Sequence, residues 1–178
     1  MYLSNASLGN IQSGFSEVVI GGTDTSLKVS VGEVGVAGTV TLNNNLVIQN
    51  SNLGGEVFIN QDLLLTGSSS LVINGSGHTT TLSANSTTGG SQIYNDSVVI
   101  DGSAVGNTTH TVAIAAGTSG TGGIQVGGTA AHSLNGNGDV TDENLILRAA
   151  GDITFQGTVG NTDALESLTI EAVSVSGT

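Results

Sequence analysis

The chain contains no cysteine, no proline and no tryptophan, and only two of its 178 residues are basic, Lys28 and Arg148. Without cysteine there is no disulfide framework, zinc ribbon or iron–sulfur site. Fourteen acidic residues against two basic ones leave a formal net charge of −12. Two cations cannot line a groove for a phosphate backbone, so nucleic acid is excluded as a partner. The same surplus of negative charge is repelled by anionic membrane surfaces. No apolar run approaches the ~20 residues of a membrane-spanning helix. Proline at ordinary usage would appear about nine times in a chain of this length. Disordered tails are enriched in it and sheet ladders exclude it, because it has no N–H to donate. Its absence favours strand.

What is present agrees. Gly, Ser, Thr and Asn make up about half of the chain, yet charged residues are only 9% and mean hydropathy is +0.22. Short apolar clusters, most of them with β-branched members, recur: Val18-Val19-Ile20, Leu46-Val47-Ile48, Val57-Phe58-Ile59, Leu63-Leu64-Leu65, Leu71-Val72-Ile73, Val98-Val99-Ile100, Val112-Ala113-Ile114, Leu145-Ile146-Leu147 and Leu168-Thr169-Ile170. Between them lie turn segments such as Asn74-Gly75-Ser76-Gly77, whose residues tolerate positive φ or bond their own backbone. No segment sustains a 3.6-residue period; Thr162 to Leu168 and Asp142 to Ala150 hold at most a helical turn. The tripeptides at Leu46, Leu63 and Val98 suggest a quasi-period near 17–20 residues, and hence eight or nine stacked turns of about three short strands each. The expected fold is all-β: a right-handed parallel β-helix (β-solenoid) formed by residues 1–178 as a single segment, with aliphatic triplets inside. Asn43-Asn44-Asn45, Asn60, Asn74 and Asn95 are candidates for stacked amide ladders at the corners. The alternative is a β-sandwich, disfavoured by the missing tryptophan and by tyrosine only at positions 2 and 94.

Chemistry is sparsely provided for. Lys28 and Arg148 stand 120 residues apart, too far along a rod to converge on a uronate. A glycosidase needs two carboxylates ~5–9.5 Å apart beside a sugar-binding cleft, and Asp139, Asp142 and Glu143 form the densest acidic group. His78, His110 and His132 lie in Gly/Thr/Ala-rich stretches without a Gly-x-Ser-x-Gly elbow and are expected at the surface. No catalytic residue and no cofactor are expected. Asn135, Asn137, Asp139 and Asp142 alternate oxygen-bearing side chains as a calcium ion prefers, although Val140 stands where an EF-hand-type loop has glycine. Thr39/Thr41, Thr79-Thr80-Thr81 and Thr109/Thr111 raise an ice-binding threonine face, but their spacing is irregular.

Two stretches carry a resemblance. Ile11-Gln12-Ser13-Gly14-Phe15-Ser16 followed by Val18-Val19-Ile20-Gly21 resembles the opening of repeat units in giant filamentous-haemagglutinin-like bacterial surface proteins. Gln92-Ile93-Tyr94-Asn95-Asp96 with Val98 and Ile100, and Gly151-Asp152-Ile153-Thr154-Phe155-Gln156-Gly157-Thr158-Val159-Gly160 with Leu165 and Leu168-Thr169-Ile170, look like later units of the same group. Together they cover about half of the chain. The resemblance implies a piece of a much larger secreted protein: an extracellular, cell-surface adhesin or stalk segment. Its implied partners are adjoining repeats, other copies of the same protein, extracellular glycans or cell surfaces. The opening Met1-Tyr2-Leu3-Ser4-Asn5 leads into polar sequence, so no secretory leader is expected within the chain. The functional alternatives are a carbohydrate-binding or polysaccharide-degrading β-helix and an ice-binding solenoid.

Overall fold

The computed structural model describes residues 1–22, 28–50, 55–75, 77–102, 110–139 and 143–172. Among them the chain winds through three parallel sheets in turn, and each strand pairs with the strand one coil before and one coil after it. Sheet 1 holds β1 (Tyr2–Leu3), β3 (Lys28–Val31), β6 (Glu56–Ile59), β9 (Thr79–Leu82), β12 (Ser97–Ile100), β15 (Ser133–Gly136) and β18 (Thr158–Val159). Sheet 2 holds β4 (Thr39–Leu42), β7 (Asp62–Leu65), β10 (Ser86–Thr88), β13 (Thr111–Ala116), β16 (Asn144–Ala149) and β19 (Ser167–Ala172). Sheet 3 holds β2 (Glu17–Gly21), β5 (Asn45–Gln49), β8 (Leu71–Asn74), β11 (Gln92–Tyr94), β14 (Ile124–Val126) and β17 (Ile153–Phe155). This is a parallel β-solenoid. The sandwich, which needs antiparallel layers, is ruled out by pairing that is parallel throughout the described strands.

The winding number differs from the expectation. Sheets of six or seven strands correspond to about six coils, a stack roughly 29 Å long at ~4.8 Å per coil. The triplets at Leu46 and Leu63 do not stack, because they lie on different sheets. Leu46 stacks on Leu71 and Leu63 on Ser86. Coil length is uneven: Thr79 pairs with Ser97, but Val98 pairs with Leu134. The corners absorb the difference while the ladders stay in register.

Strand alternation decides what faces inward. In β5 the side chains of Leu46 and Ile48 are buried while Val47 faces out. The triplets therefore line the core with their first and third residues only. Vertical ladders follow, such as Ile20–Ile48–Ile73–Tyr94–Val126–Phe155 on sheet 3 and Val40–Leu63–Ser86–Ile114–Leu147–Ile170 on sheet 2. Each fully buried Leu or Ile contributes about 1.5–3 kcal/mol, and no single coil can bury its own inward face.

The two ends differ. At one end a short helix, α1 (Asn5–Gly9), stands where sheet 2 would have another strand. Ser4 caps it reciprocally with Ser7, and Leu8 is buried over the core. At the other end nothing among the described residues covers β18 and β19. Val159, Leu168 and Ile170 are 41%, 38% and 58% exposed there.

Candidate functional sites

The amide ladder is real and longer than the asparagines alone. Asn74 Nδ2 donates to Gln49 Oε1 (3.3 Å), Asn95 Nδ2 to Asn74 Oδ1 (2.8 Å) and Gln125 Nε2 to Asn95 Oδ1 (3.1 Å). Four coils are tied at one corner of sheet 3. The other asparagines do not join it: Asn60 donates to Ser30 Oγ, Asn44 donates to the Gln12 carbonyl and Asn43 accepts from Thr66 Oγ1, while Asn45 donates to the Ser16 carbonyl and accepts from the Ser70 N–H.

The fourth coil departs from the aliphatic pattern. Its inward positions are Thr80, Ser86, Thr88, Gln92 and Tyr94, with Leu82 as the aliphatic one. Gln92 Nε2 donates to the carbonyls of Ser86 (3.0 Å) and Ala115 (2.8 Å), and the Tyr94 hydroxyl donates to Gln92 Oε1 at 2.7 Å. Burial pushes the Tyr94 phenol well above its ordinary value; the adjoining Ser86 hydroxyl opposes that rise and Asp96 adds to it. Beside this layer, His78 Nε2 stands 2.6 Å from Asp96 Oδ2, and the same oxygen accepts a hydrogen bond from Thr80 Oγ1 at 2.8 Å. The side chains of His78 and Asp96 are completely buried. The expectation of a surface histidine is thus corrected at His78. Its glycine-rich flank reads as an open turn, but Gly75 leaves the space into which the imidazole packs. His132 keeps a partner on its own corner, where Nδ1 accepts from the Gly128 N–H at 2.9 Å.

The calcium candidates separate. Asn135 lies on β15, where its amide donates to Ser133 Oγ (2.9 Å) and its carbonyl oxygen accepts from the Thr162 N–H (3.4 Å). Asn137 and Asp139 do come together: Asn137 Oδ1 accepts from the Asp139 N–H at 3.0 Å. The Asn137 amide hydrogens point to Asp139 Oδ2 (2.9 Å) and Asp101 Oδ1 (3.0 Å), between two carboxylates. Asp142 lies outside the described residues. Glu143, unexpected as a buried group, is 2% exposed, and its Oε1 has no partner. Burial raises its carboxyl above the usual range, and Asp139 and Asp101 push the same way. Among the described residues no three His, Cys, Asp or Glu side chains are placed to share a metal ion.

The threonines do not make one plane. Thr39 and Thr41 lie on sheet 2, stacked on Asp62 and Leu64. Thr79 and Thr81 lie on sheet 1, stacked on Glu56 and Phe58, and Thr109 lies outside the described residues. Lys28 pairs with Glu56 (3.6 Å) and sits over the Phe58 ring, while Arg148 Nε bonds Glu171 (2.7 Å) on another sheet. The two cations do not converge. No described helix is long and apolar enough to cross a membrane.

Sequence comparison with protein-family models and with curated proteins, and structural comparison with solved structures, return no match.

Proposed function

We propose that this chain is a non-catalytic structural segment, one stretch of a rigid solenoid stalk in an extracellular bacterial surface protein, which meets further coils or another copy at its uncovered end. The observation that carries the reading is the continuation of the inward ladders to a last strand that nothing among the described residues roofs, with Leu168 and Ile170 exposed in line with buried Leu145 and Leu147. A row of unpaired strand groups beside exposed aliphatics is a template for pairing. A non-catalytic role is supported by the burial of His78, Asp96 and Thr80, which no substrate can reach. Export is supported by the resemblance of the repeat units and is compatible with a fold that depends on no disulfide.

Sedimentation over a wide concentration range tests the assembly reading. The chain is expected to associate reversibly, and Ile170→Lys, which places an ammonium on that end, is expected to hold it monomeric with an unchanged circular dichroism spectrum. A wild-type chain that stays monomeric at every concentration, or a lysine variant that associates equally well, defeats the proposal.

A further inference from the structure

The outer face of sheet 2 carries a trough of about 340 Å³. Its floor is made of small side chains, Thr87, Ala113 and Ala115, and its walls are Leu64 and Asp62 on one side and Arg148 on the other. Register explains the depression. Leu64, Thr87, Ala115 and Arg148 stack in consecutive coils, so two short residues lie between two long ones. From Leu64 to Arg148 is three coils, roughly 14 Å. The volume falls in the ordinary range for small-molecule sites.

The polar groups along it are held in place before any ligand arrives. Asp62 Oδ1 accepts from the Asn85 N–H at 3.0 Å, and Asn85 Oδ1 accepts from the Ala113 N–H at 2.8 Å. Each of these bonds commits one side-chain atom to the next coil and leaves the other unused: a carboxylate oxygen on Asp62 and the amide hydrogens on Asn85. The Asn85 orientation is fixed, because only its oxygen can accept from an N–H. Among the described residues the hydroxyls of Thr39 and Thr87 have no hydrogen-bond partner. Arg148 is steadied by Glu171 through Nε and keeps its terminal N–H groups. Donors, acceptors and an apolar floor therefore lie in one shallow, pre-set strip, and side chains already ordered cost little to organise on binding.

We propose that this trough binds a neutral oligosaccharide, with sugar C–H faces on Ala113, Ala115 and Leu64 and hydroxyls bonded by Asp62, Asn85, Thr87 and Arg148. Sugar hydroxyls both donate and accept, matching the mixed wall. A polyanion is disfavoured by Asp62 in the trough and by the net charge of −12. A peptide added by strand pairing is disfavoured because the trough lies on a sheet face whose strands are already paired on both sides. The site does not depend on whether the rod extends further at its open end.

Calorimetric titration of the whole chain with xylohexaose, cellohexaose, mannohexaose and maltohexaose, with hexagalacturonate as the anionic control, tests it. At least one neutral hexasaccharide is expected to bind and the uronate is not. Ala115→Phe fills the trough from a solvent-facing position and is expected to weaken that binding by more than about tenfold while the melting curve is kept. Thr79→Phe, on the outer face of sheet 1, is the control expected to leave it unchanged. Absence of binding by every neutral hexasaccharide at millimolar concentration overturns the proposal. So does tighter binding of the uronate, or binding that Ala115→Phe leaves intact.

Discussion

Replacing Asp96 by alanine removes the acceptor that both His78 and Thr80 face. The Thr80 hydroxyl loses its 2.8 Å bond, and the imidazole loses the charge 2.6 Å from Nε2. Neither ring nitrogen of His78 has a hydrogen-bond partner, and the approach to Asp96 Oδ2 is the one polar contact Nε2 has among the described residues, so the variant leaves the buried ring with none. Breaking a buried pair by deleting one member costs about 3–5 kcal/mol, a large share of the ~5–15 kcal/mol that holds a domain together. At about 2–4 °C per kcal/mol for a chain of this size, the melting temperature should fall by roughly 6–20 °C. Urea unfolding followed by far-ultraviolet circular dichroism gives the free energy. The cycle is closed with His78→Leu and the double variant, in which an apolar side chain takes the imidazole's place. The double variant should recover much of the loss, giving a coupling of about 2 kcal/mol or more. An Asp96→Ala cost below about 1 kcal/mol, or single effects that add to within about 0.5 kcal/mol, would refute the claim that the two residues act as one buried unit.

Asn95→Ala cuts the amide ladder in the middle, removing one donated and one accepted bond; a loss of about 1–3 kcal/mol in the same unfolding assay is expected. Gly89→Ala should prevent normal stacking, because the new methyl would lie 1.5 Å from the Gly67 carbonyl oxygen of the coil beneath. Gly9→Ala, in open space at the end of α1, should instead stabilise by about 0.5–1 kcal/mol, and thermal melts distinguish the two. Glu143 has its carboxyl raised in the folded state, so folding takes up a proton there. Its contribution to stability is most favourable below the unfolded carboxylate range and declines as pH rises through the raised folded value. Glu143→Gln should therefore stabilise the fold at neutral pH and change nothing at pH about 3, below the unfolded value; equal effects at both would contradict the burial of that charge.

Fold class could be read because alternation, missing proline and Gly/Asn corners all point to short parallel strands. Between Gly117 and Gly138, where no aliphatic triplet occurs, the chain supplies β14 and β15 in register. Coil number was not legible, since similar triplets recur on every sheet and spacing does not say which ones stack. Nor was the polar fourth coil. Thr79-Thr80-Thr81 and Ser86-Thr87-Thr88 hold no aliphatic side chain to mark an inward face, although threonine suits a strand, and the ladders on both sides set their place in the sheets. The capping role of Ser4 and Ser7 was available in principle from their spacing, but serine at the fourth position is a weaker sign than the glutamate of a usual capping box. The trough was out of reach for a similar reason: Asp62, Asn85, Ala115 and Arg148 become neighbours only once the winding is known.

The uneven coil lengths carry a further consequence. Because Thr79–Ser97 and Val98–Leu134 keep the same rise although one loop of chain is twice the other, the bends act as free sockets. Sequence can be inserted without shifting any rung above or below at bends other than those tied by the amide ladder or by the close stacking of Gly89 on Gly67. The scaffold can therefore be decorated along its flanks, one bend at a time, with its pitch left untouched.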